Sequence, residues 1–423
     1  MAIVRNASIL FVCTMAGNIA NYCFQFIMGR RLSIEDFGTM NALLSVSTSI
    51  TLPTGAVMIV IAKYASTYKV TNDSNAMSSL YAMALRKVTA AAAIVTGAFV
   101  VASGLLGSYM NVSDTATVLI LAVGIFGSFM LTVNLGMLQG MQRFYYLGAG
   151  IGLGGVLRLA LGGAALVLGY RLNGALVATV LPALLIFALT VPALSGHLSG
   201  GVKSFRHERL LRYSIPVLIA SSAFAFLSNI DLIMVKHYLT PREAGLYASV
   251  AVLGRTMLYL PSSFALAVFP MVSEAYLQDG DSYKILDKSL ICTALISAAG
   301  LAAFTLFPEP IMRMLFGSRF TGASGYLKYY GAAMASMAVL SIIISFNLAR
   351  GRTGFIYSLA AGSVITVAAI SVFHGGILEV MVATALVFAS LCSFNLWLVY
   401  RERRVFYRNR GYAFVKPEAG NTD

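Results

Sequence analysis

Apolar residues recur along this chain in uninterrupted blocks of about 20, each closed by charged residues or by Gly, Pro or Asn. A block of that length crosses the hydrocarbon core of a bilayer as one helix. The pattern predicts twelve spans, near 8–28, 38–61, 88–108, 115–137, 146–169, 174–194, 213–235, 246–270, 289–307, 325–348, 354–373 and 377–400. Barrel strands would alternate polar and apolar over about ten residues, which these blocks do not do. The expected fold class is therefore an all-α polytopic membrane protein. It divides into a six-helix half at 1–194, a linker at 195–212, a second six-helix half at 213–400 and a basic tail at 401–423.

Composition agrees. Of 423 residues 58% are hydrophobic and 11% charged, where a soluble domain carries roughly 25% charge. This excludes a disordered chain, a disulfide scaffold and a soluble nucleic-acid binder. Cys13, Cys23, Cys292 and Cys392 all lie inside apolar blocks, with no CxxC pair and no nearby His. They read as buried thiols, and no metal site is expected. The first block, after Arg5, runs to Met28 without a small-residue cleavage site, so it is expected to be a retained span.

Charge sets the expected orientation. With the N-terminus inside, 20 of the 30 Lys and Arg fall on the cytoplasmic side and 7 on the other, among them Arg30, Arg31, Lys236, Arg313 and Arg319. Such a split predicts cytoplasmic N- and C-termini. Most of the +14 net charge then reads as topology and headgroup contact, with no nucleic-acid partner. The longest connections, 62–87 and 195–212, have 26 and 18 residues, too short for a folded catalytic domain. No Walker motif is present. The chain is expected not to be an enzyme and to work between its helices.

The two halves repeat. Arg31-Leu-Ser-Ile-Glu-Asp-Phe-Gly38 and Tyr238-Leu-Thr-Pro-Arg-Glu-Ala-Gly245 stand 207 residues apart, each after the first span of its half, and Leu52-Pro53 and Leu260-Pro261 align within one residue of that offset. Six spans per half give both halves one orientation, as in transporters with parallel repeats.

The stretch from Arg30 to Gly38 resembles the first-loop signature of polysaccharide-transporter (Wzx-type) flippases. Asn229-Ile-Asp231-Leu-Ile-Met with Leu239-Thr-Pro-Arg-Glu-Ala-Gly245-Leu-Tyr247 resembles the seventh-span signature of the same family. The family belongs to the multidrug/oligosaccharidyl-lipid/polysaccharide (MOP) exporter superfamily. The resemblance implies two parallel six-helix lobes around a central cavity, alternating access and a bacterial cytoplasmic (inner) membrane. It also implies transport of undecaprenyl-diphosphate-linked oligosaccharide for O-antigen, capsule or exopolysaccharide synthesis. Partners would be the lipid-linked substrate, membrane lipids and polysaccharide polymerase or export machinery. No cofactor is implied; a H+ or Na+ gradient is the available driving force. Two alternatives stay open, a cation-coupled multidrug exporter of the same superfamily and a membrane scaffold of a synthesis complex acting through its basic tail.

Ionisable residues inside spans are costly and mark candidate sites. Four qualify: Arg158, Asp231, Arg255 and Lys328. Arg255, near mid-span, is the candidate for substrate phosphate because guanidinium matches phosphate oxygens. An ion pair accounts for it equally well. Arg158, framed by Gly154, Gly155, Gly162 and Gly163, is a candidate site residue, with a structural ion pair or a snorkelling side chain as the alternative. Asp231 is the candidate for proton coupling or for a pair with an arginine, the pair being favoured. Lys328, beside Tyr329 and Tyr330, reads as a snorkelling side chain. Asn18, Asn21 and Gln25 form one polar stripe, Asn41, Ser45 and Thr48 another, and Ser221, Ser222 and Asn229 a third; cavity lining is expected of the Asn and Gln members. Pro53 and Pro261 are hinge candidates.

Overall fold

The first two helices show how the sequence builds this molecule. α1 (Ala2–Arg31) ends at a two-residue turn, and Ser33 starts α2 (Ile34–Thr51) by accepting the Asp36 N–H at 3.0 Å. The second half repeats the device: Thr240 and Glu243 form a reciprocal capping box at the start of α11 (Pro241–Gly254). Thus the sequence repeat is a repeated helix cap, and each copy opens the second span of its half.

The structure, a computed structural model, describes residues 2–112, 114–195, 208–261, 268, 271–272 and 281–409. After α2 come α3 (Thr54–Val70), α4 (Ser74–Val101), α5 (Ser103–Tyr109), α6 (Thr115–Gly140), α7 (Phe144–Val167) and α8 (Leu172–Ser195). The second half holds α9 (Glu208–Leu227), α10 (Ile230–Tyr238), α11 (Pro241–Gly254), α12 (Ser282–Leu306) and α13 (Pro308–Phe316). A 3-10 segment (Ser318–Tyr326) leads to α14 (Leu327–Ala349), α15 (Phe355–Val372) and α16 (Ile377–Asn409). Among the described residues no strand occurs, and ten helical stretches are long and apolar enough to cross a membrane.

In the first half α1 packs along α7, and α6 packs against α3, α4 and α8; in the second, α14 packs against α11, α12 and α16. The halves meet where α2 crosses α10 and α11, and where α3 meets α9. The largest hydrophobic cluster runs through this junction, from Phe37 and Met40 to Tyr247, Tyr330 and Met334. Val101, Val167, Leu295 and Val364 lie on the outside, exposed. An exterior this apolar suits lipid.

Several expected boundaries are corrected. The connection read as 62–87 is mostly helix: α3 runs to Val70 and α4 begins at Ser74. Arg86 and Lys87 mark a hydropathy edge, but the helix starts where Asp73 accepts the Ala76 N–H at 2.8 Å. A backbone cap, not the membrane boundary, decides where a helix begins. The seventh span is two helices, broken at Ser228–Asn229. The eighth breaks at Arg255, ahead of Pro261, where the described stretch ends. Arg350, which falls between the predicted spans 325–348 and 354–373 and is therefore expected in a loop, is buried at the end of α14 and donates to the Tyr283 hydroxyl at 2.8 Å.

Candidate functional site

Asp231 lies in the first turn of α10, immediately after the break in the seventh span, and is 1% exposed. Its Oδ2 accepts the Tyr247 hydroxyl (α11) at 2.8 Å and the Tyr330 hydroxyl (α14) at 2.7 Å. The two phenol rings meet edge to face, centroids 5.7 Å apart. A Cβ on Gly254 would overlap the Tyr330 ring, so glycine there lets the ring reach the carboxylate. Oδ1 accepts no hydrogen bond and faces the Arg255 guanidinium, 3.8 Å from one terminal nitrogen.

Arg255 stands where α11 stops, its N–H still bonded to the Ala251 carbonyl at 3.0 Å. Its guanidinium reaches across the junction to Ser45 Oγ on α2, at 3.3 Å. Its buried Nε makes no hydrogen bond. At this separation, with an effective dielectric near 20, the pair attracts by about 4 kcal/mol before desolvation is counted. Two phenol donors hold the carboxylate in place, and the guanidinium keeps an unsatisfied N–H at the boundary between the halves. Chemically, that is a tethered cation able to take an anionic group.

The other predicted residues do not join this cluster. Arg158 projects from α7 toward α1, donates to Asn21 Oδ1 at 3.2 Å and lies over the Phe24 ring at 4.3 Å. Gly155 and Gly162 admit α1 here, through Gly17 and Phe24, while Gly154 and Gly163 face open space. Gln25, one turn beyond Asn21, has a buried Oε1 without a partner, and Asn18 is exposed. Asn41 and Asn229 are buried; Asn41 donates to the Phe37 carbonyl of its own helix at 3.0 Å, and Asn229, in the break, to the Ala225 carbonyl of α9 at 2.8 Å. Lys328 is exposed over the Tyr329 ring. Pro53 sits at the α2–α3 break, and Ser221, Ser222 and Thr48 have no bond to the cluster. Among the described residues no group of three His, Cys, Asp or Glu could hold a metal ion.

Sequence reasoning missed Tyr247 and Tyr330, though both were in view: Tyr247 as part of the Gly245-Leu-Tyr signature, Tyr330 as a neighbour of Lys328. Their signal is a phenol inside a span, which when buried seeks a hydrogen-bond partner.

These broken helices, packed around a buried ion pair, define a class. Among the solved structures with a similar fold are transporters of the MOP superfamily. One is described as the inward-facing conformation of a multidrug resistance MATE family transporter (13% identity, 96% of this chain and 100% of that one, TM-score 0.78). A second is the lipid II flippase MurJ in an inward closed conformation (15% identity, 94% and 87%, TM-score 0.71). A third is a MOP superfamily transporter from Pyrococcus furiosus (16% identity, 95% of each, TM-score 0.65). The profile of the polysaccharide biosynthesis protein family matches residues 3–276, and the chain belongs to that family. An uncharacterized membrane protein of Methanocaldococcus jannaschii is 24% identical over 430 residues, 90% of this chain and 98% of that one. An uncharacterized protein of Mycobacterium tuberculosis is 28% identical over 235 residues; the match spans 53% of each chain, about half the mycobacterial protein's length.

Proposed function

We propose that this membrane exporter flips an undecaprenyl-diphosphate-linked oligosaccharide, and that Arg255 receives its phosphate. The observation that carries the reading is the guanidinium held at the junction of the halves by Asp231 and Ser45, with a spare buried N–H. A diphosphate needs a cation in a low-dielectric site, and a guanidinium offers it paired donors. Membership of a polysaccharide biosynthesis family and likeness to a lipid II flippase support the same substrate class. Among the described residues the single acidic group in this cluster is occupied by two phenols and an arginine, which disfavours a site for cationic drugs.

On this reading both termini are cytoplasmic, the chain lies in a bacterial inner membrane, and a H+ or Na+ gradient drives the cycle with Asp231 as coupling group. Polymerase or export machinery takes the product. The test is transbilayer movement of a fluorescent polyprenyl-diphosphate oligosaccharide in liposomes holding the purified protein, with and without a proton gradient. Protein-dependent movement that Arg255→Ala abolishes supports the reading. Efflux of a cationic dye with no lipid movement overturns it.

A further inference from the structure

At the end of the bundle where the repeat motifs meet, two arginines are exchanged between the halves. Arg30, at the end of α1, donates through Nε to the Leu315 carbonyl at 3.2 Å and through a terminal nitrogen to the Met314 carbonyl. Arg319, in the 3-10 segment of the second half, donates to the carbonyls of Arg30 at 2.6 Å, Leu32 at 3.1 Å and Gly29 at 3.4 Å. The acceptors are last-turn and post-helix carbonyls, those of α13 on one side and of α1 on the other. Such groups have no partner within their own helix and form its negative pole. Each half thus caps a helix of the other with a guanidinium.

Between the arginines the aromatic rings interlock. Phe316 of α13 lies edge-on to Phe26 and Phe37 of the first half, at 5.4 and 5.5 Å, and Phe320 lies 5.6 Å from Phe37. The Phe316 ring occupies the place a Cβ would take on Gly29. Gly317, at φ +90°, makes the turn between α13 and the 3-10 segment, a conformation that suits glycine.

We infer that Arg30 and Arg319 form a reciprocal clasp that keeps the two halves shut at this end and must let go before they part there. Both arginines are exposed, so their guanidinium groups pass into water on release, and undoing the clasp strands no buried charge. That separates it from the buried Asp231–Arg255 pair, which has no such substitute. The inference rests on the two-lobe transporter fold and stands whichever substrate is carried.

The test is thiol accessibility in the purified full chain, its four native cysteines replaced by alanine. Ala248 is fully buried on α11 and lies one turn beyond Gly245, on the side facing α2. Ala333, fully buried on α14 within the second half, is the control. In Arg30→Ala/Arg319→Ala, maleimide labelling of a cysteine at 248 is expected to rise about tenfold, equivalent to about 1.4 kcal/mol. Labelling at 333 should stay at its starting rate. Wild-type labelling at 248 in the double variant, or an equal rise at 333, overturns the clasp. Should the double variant not purify as a monodisperse protein, Arg30→Gln and Arg319→Gln are measured singly. Each is expected to give a smaller rise at 248, and wild-type rates in both overturn the proposal.

Discussion

Gly38 of α2 and Gly245 of α11 lie face to face across the junction: a Cβ on Gly38 would stand 2.6 Å from the Gly245 backbone nitrogen, and one on Gly245 would overlap the Ile34 carbonyl. The equivalent glycines of the sequence repeat are thus each other's neighbours, and their missing side chains set how closely the halves approach. Overpacking of this kind typically costs about 1–3 kcal/mol. Gly245→Ala is expected to lower the melting temperature in detergent, whereas Gly163→Ala, facing open space, should leave it unchanged.

Removing one charge of the buried pair strands the other. Asp231→Asn is expected to destabilise the protein by about 3–5 kcal/mol, because Arg255 keeps its charge without its counter-ion. The double variant Asp231→Asn/Arg255→Gln should recover much of that loss in thermal unfolding. Transport should be absent from both. A double variant no more stable than the single one would mean that the two groups are not energetically coupled.

Tyr247 and Tyr330 each give one hydrogen bond to the Asp231 carboxylate, a bond worth about 1.5–3 kcal/mol for an acceptor paired with a guanidinium. Replacing either with Phe removes the donor and keeps the ring, so each variant should fold with reduced stability and slowed lipid movement. If both Phe variants transport at the wild-type rate, orientation of Asp231 by these phenols is not needed for turnover.

Asp114, just ahead of the span formed by α6, is held by Asn173 at 2.8 Å, Thr117 at 2.9 Å and the Ala116 N–H at 3.0 Å. These bonds favour the carboxylate and place its pKa below the ordinary value, the Asn173 bond first among them. The stability gained is present above the ordinary carboxylate pKa, roughly 3.9, and lost as pH falls through the lower folded value. Melting curves below about pH 4 should therefore fall more steeply for the wild type than for Asp114→Asn.

Arg158 gains from stacking as well as from its hydrogen bond to Asn21. Arg158→Lys keeps the charge but loses the planar face over Phe24 and the fixed donor to Asn21, a loss of about 1–2 kcal/mol in a desolvated setting. Melting temperature is the readout; an unchanged value would remove the stacking from the account.

Much of the architecture was legible from the chain alone. Alternation of apolar blocks and charge marks spans because crossing lipid is a local requirement that each segment meets with its own composition. The repeat was legible because both copies need the same cap, Ser33 in one and Thr240 in the other. Boundaries were less so. Arg86 and Lys87 suggested an edge where α4 runs on, and Arg350 looked like a loop cation though it is buried against Tyr283. Hydropathy averages over a window, while a cap or a buried donor is decided by one neighbour.

What the sequence determined by itself was the membrane class, the repeated helix cap and the short list of costly in-span charges. Which of those charges meet was decided by tertiary structure. Asp231 and Tyr330 are 99 residues apart in the chain, and Ser45 and Arg255 are 210 apart. No local pattern encodes such separations. Arg158 and Arg255 read alike in sequence, yet one stacks on Phe24 within a half and the other bridges the halves. The physical reason is that a buried charge takes whichever partner helix packing brings near it, and packing is a property of the assembled helices.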